Sequence, residues 1–212
     1  MSLRIGLRVE GQSDFDFFEV LIRRLVESIA TREIALTIIS AARLERSIER
    51  IAAQLCAAQG NAADLFCIHQ DADSRNKLER KHSFVQEIKR KAYDFCQLPS
   101  SRCVALIPLR ETETWLLADP AAVCYSLGIK RVPAEIQPGF GKPEDIEDPK
   151  ERLRTLCESL LGRRRNSPLS FPRVAELIRF GELRRLPEYR RFEASFVEAL
   201  QSINMPIVQP VD

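Results

Sequence analysis

The run Phe66-Cys67-Ile68-His69-Gln70 stops at two aspartates one residue apart, Asp71 and Asp73. A short apolar run of this kind reads as a buried strand, and on an extended backbone side chains two apart point to the same side. If the chain stays extended through Asp73, both carboxylates face one spot just past the strand. In open α/β sheets the region beyond the carboxyl ends of the strands is where ligands bind. Two adjacent like charges repel, and a shared hard cation such as Mg²⁺ is the simplest way to keep both ionised.

The chain around this pair alternates between strand and helix patterns. Leu3-Arg4-Ile5-Gly6-Leu7-Arg8-Val9 has the period of a strand and ends at Glu10-Gly11, where glycine permits a sharp turn. Ser13 and Asp16 make a loose capping box, and Phe18, Leu21, Ile22, Leu25 and Ile29 fall at helical spacing, so a helix is expected from about Ser13 to Ala30. Glu33 to Ser40 is a β-branched run and reads as a second strand. Leu44, Ile48, Ile51 and Leu55 mark a second helix that closes near Gly60-Asn61. Asp64 to Gln70 is the third strand and Lys77 to Phe95 the third helix. Arg102 to Leu109 is a fourth strand, with Pro108 placing its last part at an edge or past the ladder. This order predicts an α/β fold, a parallel sheet of about four strands with helices on both faces.

Beyond Asp119-Pro120 the pattern changes. A short helix to Leu127 is followed by a Pro- and Gly-rich loop from Val132 to Pro149 and then three or four helices, broken near Gly162, Pro168 and Pro187. The chain therefore divides into an α/β domain over 1–119 and a loop-rich, then helical, C-terminal extension over 120–212 packed on it. Met205 to Asp212 is expected to fray.

Composition narrows function little. A net charge of +2 over 212 residues singles out no partner, but its distribution is uneven: from Lys150 onward there are 12 Lys+Arg and 8 Asp+Glu, which leaves −2 for the first 149 residues. The acidic part holds the candidate metal site, and the basic part suits a polyanion. The six cysteines form no C-x-x-C pair and mostly lie in apolar segments, so they read as small core residues of a reducing compartment rather than a disulfide framework or zinc site. Met1 to Leu7 holds no long apolar run, and no stretch reaches the ~18 apolar residues of a membrane span, so a cytoplasmic protein is expected. Gly139-Phe140-Gly141-Lys142-Pro143 is not a phosphate loop: the first glycine of G-x-x-x-x-G-K would fall at Ile136, and Pro143 replaces the Ser/Thr. The chain is not expected to hydrolyse ATP by itself.

Carboxylates close three of the strands: Glu10 after the first, Asp71 and Asp73 after the third, Glu111 and Glu113 after the fourth. In a doubly wound sheet these ends lie along one edge and can converge; the competing reading is solvated acidic loop ends. At this point the chain resembles a family. An apolar strand followed by Glu10-Gly11-Gln12-Ser13-Asp14, and later a strand ending in Asp71-Ala72-Asp73, look like the two signature motifs of the TOPRIM domain. That domain occurs in topoisomerases, bacterial primases, recombination and maturation nucleases, and OLD-type nucleases. Glu111-Thr112-Glu113-Thr114-Trp115-Leu116-Leu117-Ala118-Asp119 and Asp148-Pro149-Lys150 further resemble a bacterial TOPRIM-like family of unknown function, whose members are often associated with ATPases in defence-type operons. The TOPRIM resemblance spans roughly residues 1 to 115 and leaves the helical tail without a counterpart.

The resemblance implies a Rossmann-like TOPRIM sheet and a metal-dependent nuclease or phosphotransferase acting on DNA or RNA, in a defence or DNA-repair setting. It assigns Glu10 as general acid/base or metal ligand, Asp71 and Asp73 as ligands of Mg²⁺ (or Mn²⁺), and Glu111 or Glu113 as the further acidic position of the OLD-like branch. An ATPase partner and a homo-oligomer are compatible with it. Tyr93, Tyr125 and Tyr189 sit in helical contexts, so no tyrosine nucleophile is evident, which favours hydrolysis by water over topoisomerase chemistry.

Other residues carry paired readings. Arg75, Lys77, Arg80 and Lys81 follow the aspartates and suit a phosphate backbone, or form a solvated helix face. Lys150 either starts a helix or reaches the acidic site. Asp14 reads as a helix cap, His69 as a buried structural histidine, His82 as solvated, Arg163-Arg164-Arg165 as a surface cluster and Trp115 as core. Two other functions remain compatible with the sequence: a non-catalytic or conditionally active subunit that binds an ATPase or nucleic acid, and another D-x-D phosphotransferase or nucleotide-sugar transferase.

Overall fold

The computed structural model describes residues 1–43, 45–134, 136, 141–161 and 169–209. The four apolar runs form strands β1 (Ser2–Val9), β2 (Ala35–Arg43), β3 (Leu65–His69) and β4 (Cys103–Leu106) of one all-parallel sheet, in the order β2-β1-β3-β4. Between them run helices α1 (Gln12–Ile29), α2 (Ile48–Gly60) and α3 (Leu78–Cys96). The expected α/β architecture is therefore the one observed. β4 is an edge strand, and Pro108 lies two residues past its end, where the ladder requires no N–H.

The period-two geometry of the strands sorts the core onto two faces. Leu3, Ile5, Leu7 and Val9 of β1, with Leu65 and Cys67 of β3, pack against α1. Phe66 and Ile68 face the other way, onto Ile51 and Leu55 of α2 and Val85 and Ile88 of α3. With both faces covered, the polar positions of β1 do not simply meet water. Arg8 is buried. Gly6 is the point where the Phe66 ring crosses β1: a Cβ there would lie 2.5 Å from Phe66 Cδ1 and 3.1 Å from Ala41 Cβ. Gly6→Ala is expected to destabilise the protein by about 1–3 kcal/mol through this overpacking, read as a lower urea midpoint at unchanged slope.

The rest of the chain forms α4 (Thr112–Leu116), α5 (Pro120–Ser126), α6 (Pro149–Leu161), α7 (Phe171–Leu177), α8 (Phe180–Leu183) and α9 (Pro187–Ser202). Pro120, Pro172 and Pro187 all sit in the first turn of a helix, where a missing N–H costs nothing. These helices share the α1-face core. The fully buried Trp115 ring packs edge-on against Phe18 at 5.6 Å and Tyr189 at 5.2 Å, and contacts Phe192 at 5.9 Å. Among the described residues no helix is long and apolar enough to cross a membrane.

Two expectations are corrected. The stretch from Met205 to Val208 does not fray: Val208 N donates to Ile29 O at 2.8 Å, Thr31 N donates to Pro206 O at 2.9 Å, and Ala30 and Ile207 form an antiparallel bridge. The cysteines are not all small core thiols either. Cys56 and Cys96 are joined in a disulfide with their Cα atoms 5.8 Å apart, tying α2 to α3. Forty residues separate the two, and only the side-by-side packing of the helices brings them together. Cys67, Cys103 and Cys124 are buried free thiols, as expected. Leu44, the Gly139-Phe140 pair, the breaks at Gly162 and Pro168, and the Arg163–Arg165 cluster lie outside the described residues.

Candidate functional site

The chain leaves β1 for β2 on one side and returns to β3 on the other. The topological switch point therefore falls between the carboxyl ends of β1 and β3, the place where open α/β sheets bind ligands. Glu10 is the first residue past β1, and Gln70 and Asp71 are the first past β3. Beyond its named end β3 stays hydrogen-bonded to the segment after β4, through Gln70 N to Leu106 O at 3.1 Å, Ala72 N to Pro108 O at 3.1 Å and Asp73 N to Arg110 O at 2.9 Å. This continued ladder carries Glu111 to the same edge of the sheet.

The backbone does not stay extended through the Asp-x-Asp pair. Asp73 has φ +59°, in the left-handed region that Asp tolerates better than most residues. The turn feeds a single 3₁₀ turn at Arg75–Lys77 and then α3. Asp71 and Asp73 are therefore not two parallel side chains on one strand face. The Asp73 carboxylate lies 3.5 Å from Lys77 Nζ and 3.4 Å from Lys81 Nζ. Asp71 is drawn inward, with Oδ1 3.1 Å from Nε2 of the fully buried His69.

His69 is the centre of a polar chain. Its Nε2 also lies 3.4 Å from Thr112 Oγ1, and that hydroxyl donates to Asp14 Oδ1 at 2.8 Å. His69 Nδ1 is buried with no partner, while Nε2 faces Asp71, whose carboxylate can only accept. Asp14 is thus no helix cap: the start of α1 carries no side-chain cap bond, and Asp14 links α1 to α4.

Beneath the carboxylates lies Arg8, only 2% exposed. Its guanidinium donates to His69 O and, at 2.8 Å, to Glu45 O, and it stands 4.0 Å from Glu10 Oε1. Burial lowers its affinity for the proton, while Glu10, Asp14, Asp71 and Glu45 all pull the other way. Gln70 Nε2 donates to Glu10 Oε1 at 2.7 Å and fixes that oxygen's position.

On the β4 side, burial pushes the Glu111 carboxyl up; Lys150 opposes this, and Asp71, Asp148 and Asp73 add to it. Glu113 is nearly buried, and burial raises it as well, again opposed by Lys150. Lys150 Nζ lies 3.8 Å from Glu113 Oε1, and its own pKa is raised by Glu113 first, despite some burial, with Glu111, Asp71 and Asp14 adding to the rise. The lysine therefore reaches the acidic edge from the start of α6. Arg75 pairs with Asp145 at 2.9 Å, away from the aspartates, and Arg80 is exposed.

Raised glutamates have a pH consequence. Their contribution to stability is complete below the ordinary carboxylate range, near pH 4.5, and is lost as pH rises through the higher folded values. Lys150→Met removes the opposing cation. It should lift both folded values further and steepen the loss of thermal stability between about pH 4.5 and neutrality, as read from melting temperature against pH. A variant curve parallel to that of the wild type would contradict this.

The carboxylates offer the hard oxygen donors that Mg²⁺ and Mn²⁺ accept. As they stand, Glu10, Asp71, Asp73 and Glu113 are answered by a protein donor or cation, and among the described residues no three His, Cys, Asp or Glu side chains are gathered closely enough to hold an ion. The sequence had named Glu10, Asp71, Asp73, Glu111, Glu113 and Lys150, and the structure sets them along one sheet edge. It had not named Arg8, Gln70 or Thr112. For Arg8 a signal existed: an arginine inside the strand that ends in Glu-Gly.

A family model described as a domain of unknown function (DUF4276) matches residues 9–196. No curated protein and no solved structure matches significantly.

Proposed function

The chain belongs to the DUF4276 family, and from that premise we propose that it is a divalent-metal-dependent enzyme that breaks or transfers phosphodiester bonds of nucleic acid at the β1/β3 switch point. The observation that carries this reading is the placement of Glu10, Asp71 and Glu111 at or just past three strand ends along one sheet edge, where such sheets bind ligands. The likeness of Glu10–Asp14 and Asp71–Asp73 to the TOPRIM motifs supports the same chemistry.

Glu10, Asp71 and Glu111 would hold Mg²⁺ or Mn²⁺, with Asp73 and Glu113 beside them. Bound there, the ion supplies neutralisation of charge on the transferring phosphate and an activated water. The chain's own groups have separable tasks. Gln70 holds Glu10 Oε1, which leaves the other oxygen to take or return a proton. His69 holds Asp71 from behind. Lys77, Lys81 and Lys150 stand over the carboxylates and can turn to phosphate oxygens. Arg75 and Arg80, on the same segment, would track the backbone. All three tyrosines lie inside α3, α5 and α9, in keeping with water as nucleophile.

One observation favours a second reading. Because Glu10, Asp71, Asp73 and Glu113 are already engaged within the chain, the site suits a subunit that becomes competent only when a partner or nucleic acid draws the lysines away. The test is incubation with supercoiled plasmid, single-stranded DNA and RNA, in Mg²⁺ and then Mn²⁺. Cleavage that stops with a chelator and in Asp71→Asn is the expected result. Cleavage that survives Asp71→Asn would overturn the assignment of the site. No cleavage, with Mn²⁺ binding retained, would select the second reading.

A further inference from the structure

Around the corner from the carboxylate edge lies a cavity of about 810 Å³, walled by α5, the segment from Lys130 to Val132 with Ile136, the 3₁₀ turn Pro143–Asp145, and the start of α9. Its lining holds six Lys/Arg and three Asp/Glu. Three of the cations are answered: Arg179 by Asp119 at 2.8 Å, Arg75 by Asp145 at 2.9 Å and Arg185 by Glu182 at 3.0 Å. Lys130, Arg131 and Lys142 are exposed and, among the described residues, have no carboxylate within 4.0 Å. The surplus positive charge of the lining thus rests on these three side chains. The wall carries Pro120, Val132, Leu186 and Pro187, and the Tyr125 ring lines it while half exposed.

We propose that this cavity binds a nucleotide, with its phosphates on Lys130, Arg131 and Lys142 and its base against Tyr125 and the apolar wall. The size is that of a small-molecule site and far exceeds what a lone phosphate fills. Unpaired cations beside an aromatic and apolar wall match a ligand that is polyanionic at one end and planar at the other. An acidic peptide would use the cations but leave the aromatic wall without a purpose. The proposal requires neither a metal ion nor the phosphodiester chemistry of the carboxylate edge, and it involves no hydrolysis, in line with the absence of a phosphate loop at Gly141-Lys142.

The test is calorimetric titration of the full chain with ADP, with pyrophosphate and with adenosine, in chelator so that the carboxylate edge is silent. ADP should bind. Lys130→Ala/Arg131→Ala should weaken both ADP and pyrophosphate about tenfold or more. Tyr125→Ala should weaken ADP about tenfold and leave pyrophosphate unchanged. All three residues are exposed, so the variants should melt as the wild type does. Asp71→Asn should leave ADP affinity unchanged, which separates this site from the carboxylate edge. The proposal is overturned if ADP fails to bind at millimolar concentration, if neither cavity variant changes its affinity, or if ADP affinity falls in Asp71→Asn.

Discussion

Replacing Arg8 with methionine is expected to lower the stability of the folded chain by about 3–5 kcal/mol, the range for removing one member of a buried charge network. The loss has two sources. The carbonyl oxygens of His69 and Glu45 lose their guanidinium donor in a place water does not reach. The carboxylates of Glu10, Asp14 and Asp71, gathered around that guanidinium, lose the charge that offsets their mutual repulsion. Methionine fills much of the volume, so a cavity is not the main penalty. Against a total stability of about 5–15 kcal/mol, the variant should be partly unfolded at modest urea concentrations. Added Mn²⁺ should restore part of the loss, because a cation that binds only the folded carboxylates stabilises by mass action. Loss of less than about 1 kcal/mol would mean that the charges around Arg8 are screened by water, as exposed pairs are.

Asp71→Asn is the change expected to affect chemistry most. The swap preserves shape, and Asn Oδ1 can still accept from His69 Nε2, so the melting temperature should hardly move. What disappears is one negative charge at the switch point. If Asp71 holds the catalytic ion, metal-dependent turnover should fall about a hundredfold to a thousandfold, since charge stabilisation by such an ion is worth several kcal/mol and each 1.36 kcal/mol is tenfold. The rate should be measured at saturating metal as well as at low metal. A loss that vanishes at high metal would make Asp71 a contributor to affinity only. Equal loss at both would place it in the chemical step.

The parts of this fold that local rules determine were legible in the chain. β1 alternates apolar and polar residues and β3 is a short apolar run, each closed by an acidic or glycine turn, and α1 carries Phe18, Leu21, Ile22, Leu25 and Ile29 at helical spacing, so their placement follows from local pattern alone. The alternation of strand and helix made the parallel sheet legible, but not the strand order that makes Glu10 and Asp71 neighbours, which only the fold supplies. What local rules do not determine is long-range. The positive φ of Asp73 depends on how α3 must start, and it redirects a side chain that an extended strand would have aimed beside Asp71. The burial of Arg8 depends on two helices covering the second face of the sheet. The bond between Cys56 and Cys96 depends on α2 and α3 lying side by side, and the pinned tail depends on Ile207 meeting Ala30. In each case the residue types alone favoured the commoner outcome: a parallel Asp pair, an exposed arginine, a free thiol, a frayed end.

The central claim is that the carboxylates at the β1/β3 switch point form a divalent-cation site. Its most direct test is a calorimetric titration of the wild-type chain with Mn²⁺, run beside Glu10→Gln and Asp71→Asn after each variant has been shown to melt as the wild type does. Saturable binding by the wild type, weakened at least tenfold in both variants, is the expected result. No saturable binding in the wild type, or equal binding in all three proteins, would contradict it and leave Glu10, Asp71 and Glu111 as partners of Arg8, His69 and the lysines alone.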